Sequence, residues 1–94
     1  MLKVLIEREI AEGLEGAYEM AIRQVIQAAV NAPGFISGEA FADLQRPNHR
    51  VVIVTMRDLA SWQVWHQSPE RLATVAVIQP MLEDEERITL LEPL

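Results

Sequence analysis

The segment from Asp58 to Pro80 constrains this chain most, because two helix starts stand inside it ten residues apart. Asp58 is suited to cap a short helix from Leu59 to Gln67, its carboxylate accepting from unpaired N–H groups of the first turn. Ser68-Pro69-Glu70 restarts a helix with a serine cap, a proline at the first position and a carboxylate near the positive helix end. Thr74, Val75, Val77 and Ile78 are β-branched and suit a strand, but the cap and the proline favour helix. The outcome is one helical region broken in two at Ser68.

The flanking sequence alternates like strands. Leu2, Val4 and Ile6 oppose Lys3, Glu7 and Glu9, which predicts a first strand over Leu2 to Glu9. Gly13 ends it. From Leu14 to Asn31 the period becomes helical: Leu14, Tyr18, Ala21, Ile22, Val25, Ile26 and Ala29 form one stripe. Glu15, Glu19, Arg23 and Gln27 form its wet face, with Glu19 and Arg23 in the favourable i,i+4 order. Pro33-Gly34 stops this helix. Phe35 to Leu44 reads as extended, with Gly38, Ala40 and Ala42 on the face opposite Phe35 and Phe41. Arg46-Pro47-Asn48 is turn chemistry, Val51 to Thr55 is a β-branched strand completing a hairpin, and Ile88 to Glu92 is the last strand.

The order β-α-β-β-α-β, its second helix split, is an α+β, ferredoxin-like arrangement on one antiparallel sheet. Helices cover one face of such a sheet. The other keeps apolar side chains, from Val51 and Ile53 or from Val52 and Val54 depending on register. A chain of 94 residues is expected to form one domain, residues 1–94, and to seal that face by packing sheet to sheet with a second copy.

Composition removes several function classes. The net charge is −6 without a basic cluster, which argues against nucleic acid and anionic membrane as partners. No cysteine is present, so thiolate metal sites, thiol catalysis and disulfides are excluded. Lys3 and Glu7 interrupt the first apolar stretch, which therefore reads neither as a signal peptide nor as a membrane span, and a cytoplasmic protein is expected. Glu83-Asp84-Glu85-Glu86 reads as a solvated turn.

Trp65-x-x-Ser68-Pro69, the short helix after it, the acidic break, the last strand and Pro33-Gly34-Phe35 together resemble the antibiotic-biosynthesis monooxygenase family along almost the whole chain. The resemblance implies a dimeric α+β barrel with a pocket between the sheet and helices of each protomer. It also implies oxidation of polycyclic phenols, anthrones or quinols by oxygen without a cofactor, or, in one branch, haem degradation. The haem branch needs a histidine where Val75 stands and an asparagine near Arg8, so haem is not expected. Glu70 stands where many relatives carry a histidine.

The candidate site follows from the indole-bearing helix. Trp62, Trp65 and His66 fall within five consecutive positions of a chain that has five aromatic residues other than histidine. Helical spacing puts Leu59, Trp62 and His66 on one face with Trp65 on its flank. That face can wall a pocket for a flat aromatic ligand, although an indole is more often a core or interface anchor. His66 is the candidate base, since an imidazole near neutrality can take a phenolic or C–H proton, and a surface role near a helix end is its ordinary alternative. Arg8 can hold an anionic oxygen, or can instead pair with Glu7, Glu9 or another strand's carboxylate. Tyr18 can reach a ligand or simply pack, and His49, after the hairpin turn, reads as solvated. The two histidines lack metal-ligand spacing, so no metal is expected. The two main readings are a cofactor-free oxygenase of small aromatic compounds and a non-catalytic ligand-binding or dimerisation module; an isomerase or decarboxylase on a related barrel, needing the same base but no oxygen, is a third.

Overall fold

The computed structural model describes all 94 residues, Met1–Leu94. Four strands, β1 (Leu2–Glu9), β2 (Phe35–Ala42), β3 (His49–Met56) and β4 (Arg87–Leu91), alternate with α1 (Glu15–Ala29) and the pair α2 (Leu59–His66) and α3 (Pro69–Ile78). A 3-10 turn, Gln79–Met81, follows α3. The strands pair antiparallel in the order β2-β3-β1-β4, the ferredoxin-like topology that the element order predicts. No helix is long and apolar enough to cross a membrane.

Register decides which valines go inside. Val4 pairs with Val54 and Ile6 with Val52, and all four are buried under the helices. Leu5 pairs with Ile53 and Glu7 with Val51 on the reverse face. Each aliphatic side chain buried in this way contributes about 1.5–3 kcal/mol. Tyr18, Ala21, Ile22 and Ala29 bring the buried stripe of α1 onto that layer. The reverse face carries Leu5, Val51 and Ile53, half-buried, together with Phe41 and Leu91, each 47% exposed.

The punctuation residues act through identifiable bonds. Ser61 donates its backbone N–H and its hydroxyl to Asp58 Oδ1 at 2.8 and 2.7 Å. These bonds, the hydroxyl's first, hold the Asp58 carboxyl below its usual range. Ser68 Oγ accepts from Arg71 N at 3.2 Å and donates to Trp65 O at 2.8 Å, so one hydroxyl starts α3 and closes α2. Capping thereby overrides the β-branched run. Gly34 has φ +85°, and a Cβ there would lie 2.3 Å from Ser61 Oγ. Only glycine fits that turn against the capped end of α2.

Three local expectations change. A bulge between Phe35 and Ser37 turns Phe35 onto the helix side, the same face as Gly38 rather than the opposite one. A Cβ on Gly38 would stand 3.3 Å from the Phe35 ring. The buried face of α2 is Ser61, Trp62 and Trp65, while Leu59 is exposed. Glu19 bonds Arg50 across to β3 at 3.2 Å, not Arg23 on its own helix.

Candidate functional site

Arg8 stands in phase with Leu2, Val4 and Ile6, so the pleat of β1 drives a guanidinium under the helices. Only 3% of it is exposed. Glu7 and Glu9 point to the other face and cannot neutralise it there. The partner is Glu86: Arg8 Nε and Nη2 donate to its Oε1 at 3.0 and 2.8 Å. Arg8 Nη1 donates to Tyr18 Oη at 3.1 Å. Glu83, Asp84 and Glu85 are exposed as a solvated turn would be, but Glu86 is turned inward. A second guanidinium meets it, with Arg71 Nη2 donating to Glu86 Oε2 at 2.8 Å. Arg71 is 5% exposed and lies 5.8 Å from the centre of the Trp62 ring system. Burial alone would raise the Glu86 carboxyl, but the two arginines outweigh it and hold the group below its usual range.

The two arginines of this triad line a void between sheet and helices. Ile26, Phe35, Val54 and Trp65 supply apolar wall, and Arg8 and Arg71 the polar part. The void measures about 20 Å³, room for one water molecule. A single aromatic ring needs a cavity of roughly 150 Å³. A ring can enter only if a wall side chain moves, and Val25, Ile26 and Phe35 are the half-buried side chains of that wall.

The five residues singled out by sequence divide around this centre. Arg8 and Trp65 line the void. Tyr18 is buried and bonded to Arg8, and its outer side borders an open groove of about 330 Å³ between α1 and β2. Trp62 packs between Arg71 and His66, its ring centroid 5.2 Å from the imidazole. His66 does not line the void; it is half-buried and packs on Trp62. Desolvation and the charge of Arg71 push its pKa down, against a smaller opposing pull from Glu86, so the imidazole is neutral at neutral pH.

Arg71 and Glu86, which complete the buried ion triad, are the residues of this centre that sequence reasoning missed. His49 also departs from expectation. It is held, not solvated: Nδ1 lies 3.0 Å from Asp43 Oδ2 and Nε2 lies 3.1 Å from Glu7 Oε2. The hydrogen bond to Asp43, then that to Glu7, raises its pKa, while Asp43 is lowered to about 2, chiefly by the same bond. Nowhere do three or more His, Cys, Asp or Glu side chains converge as a metal site requires.

The fold and its interior define a ferredoxin-like α+β domain with two arginines lining a small apolar chamber. The chain belongs to the antibiotic biosynthesis monooxygenase family, whose profile matches residues 1–77. No curated protein matches the sequence. Among solved structures, an antibiotic biosynthesis monooxygenase superposes with a TM-score of 0.91 at 19% identity, covering 100% of this chain and 99% of that one. Rv0793 from Mycobacterium tuberculosis gives 0.89 at 17%, covering 99% and 94%. SnoaB, a cofactor-independent oxygenase from Streptomyces nogalater, gives 0.86 at 14%, covering 99% and 93%. At such identities the likeness is one of fold.

Proposed function

We propose that the chain is a cytoplasmic, homodimeric, cofactor-independent monooxygenase of small phenolic or quinol-type aromatic compounds. The observation that carries this reading is the buried pair of guanidiniums, Arg8 and Arg71, with Trp62 packed against both Arg71 and the His66 imidazole, a candidate base near groups that stabilise an anion. Family membership and the SnoaB likeness agree with it. His66 takes a proton from the substrate, Arg8, steadied by Tyr18, holds the resulting anion, and Trp62 and Trp65 stack on its rings.

The chemistry balances without a cofactor. For an anthrone-type CH2, loss of a proton to His66 leaves a carbanion whose electrons reduce O2, and a C–O–O bond forms. Protonated His66 returns its proton to the distal peroxide oxygen, and loss of the remaining C–H proton together with hydroxide then gives C=O, the two leaving as one water. One CH2 and one O2 become one C=O and one H2O. Oxygen uptake with a panel of anthrones and hydroquinones tests the reading. Turnover is expected in the unsubstituted protein, and His66→Ala is expected to lower it about 10²- to 10⁴-fold. Unchanged turnover in His66→Ala removes that residue from the reaction.

A second reading, a non-catalytic ligand-binding or dimerisation module, draws on the small void and on the position of His66 outside it. Ligand binding with no oxygen consumed across the panel selects it. Both readings use a homodimer, supported by Leu5, Val51, Ile53, Phe41 and Leu91 on one uncovered face. Ile53→Glu is expected to yield monomers in sedimentation velocity; an unchanged dimer sinks the sheet-to-sheet arrangement.

A further inference from the structure

Two buried guanidiniums share one carboxylate, so the interior of this domain holds one positive charge more than it neutralises. The excess sits on Arg71. Arg71 makes one side-chain hydrogen bond, from Nη2 to Glu86, and its Nε and Nη1 donors have no protein partner. No buried side-chain polar atom is sealed off unpartnered, so these donors abut space that a water molecule can reach. Arg71 is also one of the two polar residues that line the void. A buried cation with unused donors is stabilised when an anion joins it.

We infer that the free edge of Arg71 is an anion subsite, the water-sized void marks where a ligand oxygen sits, and the ligand is a flat apolar molecule carrying one negative charge on oxygen. One such charge brings the interior to neutrality; a neutral ligand leaves the excess and a dianion overshoots it. Charged donors of fixed fork geometry suit a carboxylate or an ionised phenol alike. Once a wall side chain has moved aside, the apolar wall of Ile26, Val54 and Trp65 suits the ring rather than a second polar group. The inference rests on the function proposed above and deepens it by specifying the substrate's charge and by moving the anion contact to Arg71, since all three side-chain nitrogens of Arg8 already donate to Glu86 and Tyr18.

Calorimetric titration under nitrogen tests it with benzoate, its neutral isostere benzamide, and 4-nitrophenolate. Benzoate or nitrophenolate is expected to bind about ten- to a hundredfold more tightly than benzamide, the range of a charge-assisted hydrogen bond. Whichever anion binds more tightly tells carboxylate from phenolate. Arg71→Gln leaves Arg8 and Glu86 as a balanced pair and is expected to abolish the preference. Glu86→Gln removes the competing carboxylate and is expected to tighten benzoate while leaving benzamide unchanged, the reverse of what a purely structural Glu86 gives. If Glu86→Gln does not fold, Arg71→Gln decides alone. Equal binding of benzoate and benzamide, no binding of any of the three, or a preference that survives Arg71→Gln overturns the subsite. Because no oxygen is present, failure of the oxygenase reading leaves this result standing, and loss of the charge preference with oxygen uptake intact removes only the subsite.

Discussion

The two faces of the sheet carry two ion clusters built from neighbouring residues of one strand, and they are finished differently. On β1, Arg8 turns under the helices while Glu7 turns to the reverse face. Beneath the helices, Arg8 and Arg71 converge on Glu86 alone. On the reverse face, His49 lies between Asp43 and Glu7, and Arg87 Nη2 donates to Glu7 at 3.2 Å. In that second cluster two carboxylates hold one imidazole and one guanidinium. The cluster ties the β2–β3 hairpin to β1 and β4, a structural task. The first has one carboxylate for two guanidiniums, and both arginines line the apolar void.

The largest expected effect tests the difference in burial. Glu86→Leu strands two guanidiniums in an apolar interior and is expected to cost about 3–5 kcal/mol in urea unfolding. Glu7→Gln, on the wetter face, is expected to cost about 1 kcal/mol or less. Equal losses would mean that the two clusters do the same job. Addition of benzoate is expected to raise the urea midpoint of the unsubstituted protein, by mass action on the native state, and to leave that of Arg71→Gln where it was.

The fold was legible because its signals are local. Asp58, Ser68 and Pro69 announce helix starts through bonds to residues three positions away, and the alternation of Leu2, Val4 and Ile6 needs no partner to be seen. Half of the site was legible for the same reason. Arg8 continues the apolar phase of its strand, and Trp62 and Trp65 lie on a helix short enough to count by hand. Arg71 carried a signal of the same kind, seven residues and two helical turns before the buried Ile78, on the inner face of α3. Glu86 carried none: three of its neighbours are the solvated turn they resemble, and its inward rotation depends on two arginines distant in sequence. The Phe35 bulge escaped because strict alternation assumes that no residue is inserted.

The smallest predicted effect sets the two histidines against each other. His49 has a raised folded-state pKa, from Asp43 and then Glu7, with Arg46 opposing and Glu9 reinforcing. Its contribution to stability is complete below the ordinary value of 6.5 and is lost as pH rises through the folded-state value. His66 has a lowered pKa, from desolvation and Arg71 against Glu86. The unfolded chain therefore binds a proton more readily than the folded one just below 6.5, and stability falls as pH drops from there. Asp43, at about 2, and Glu86, held low, stay ionised throughout and add no slope. Urea midpoints between about pH 5.5 and 8.5 are thus expected to peak near the ordinary histidine value. His49→Gln should flatten the alkaline flank and His66→Gln the acid flank. A profile in which His49→Gln flattens the acid side would mean that Asp43 and Glu7 do not favour the protonated imidazole, and the contrast between the two clusters would be lost with it.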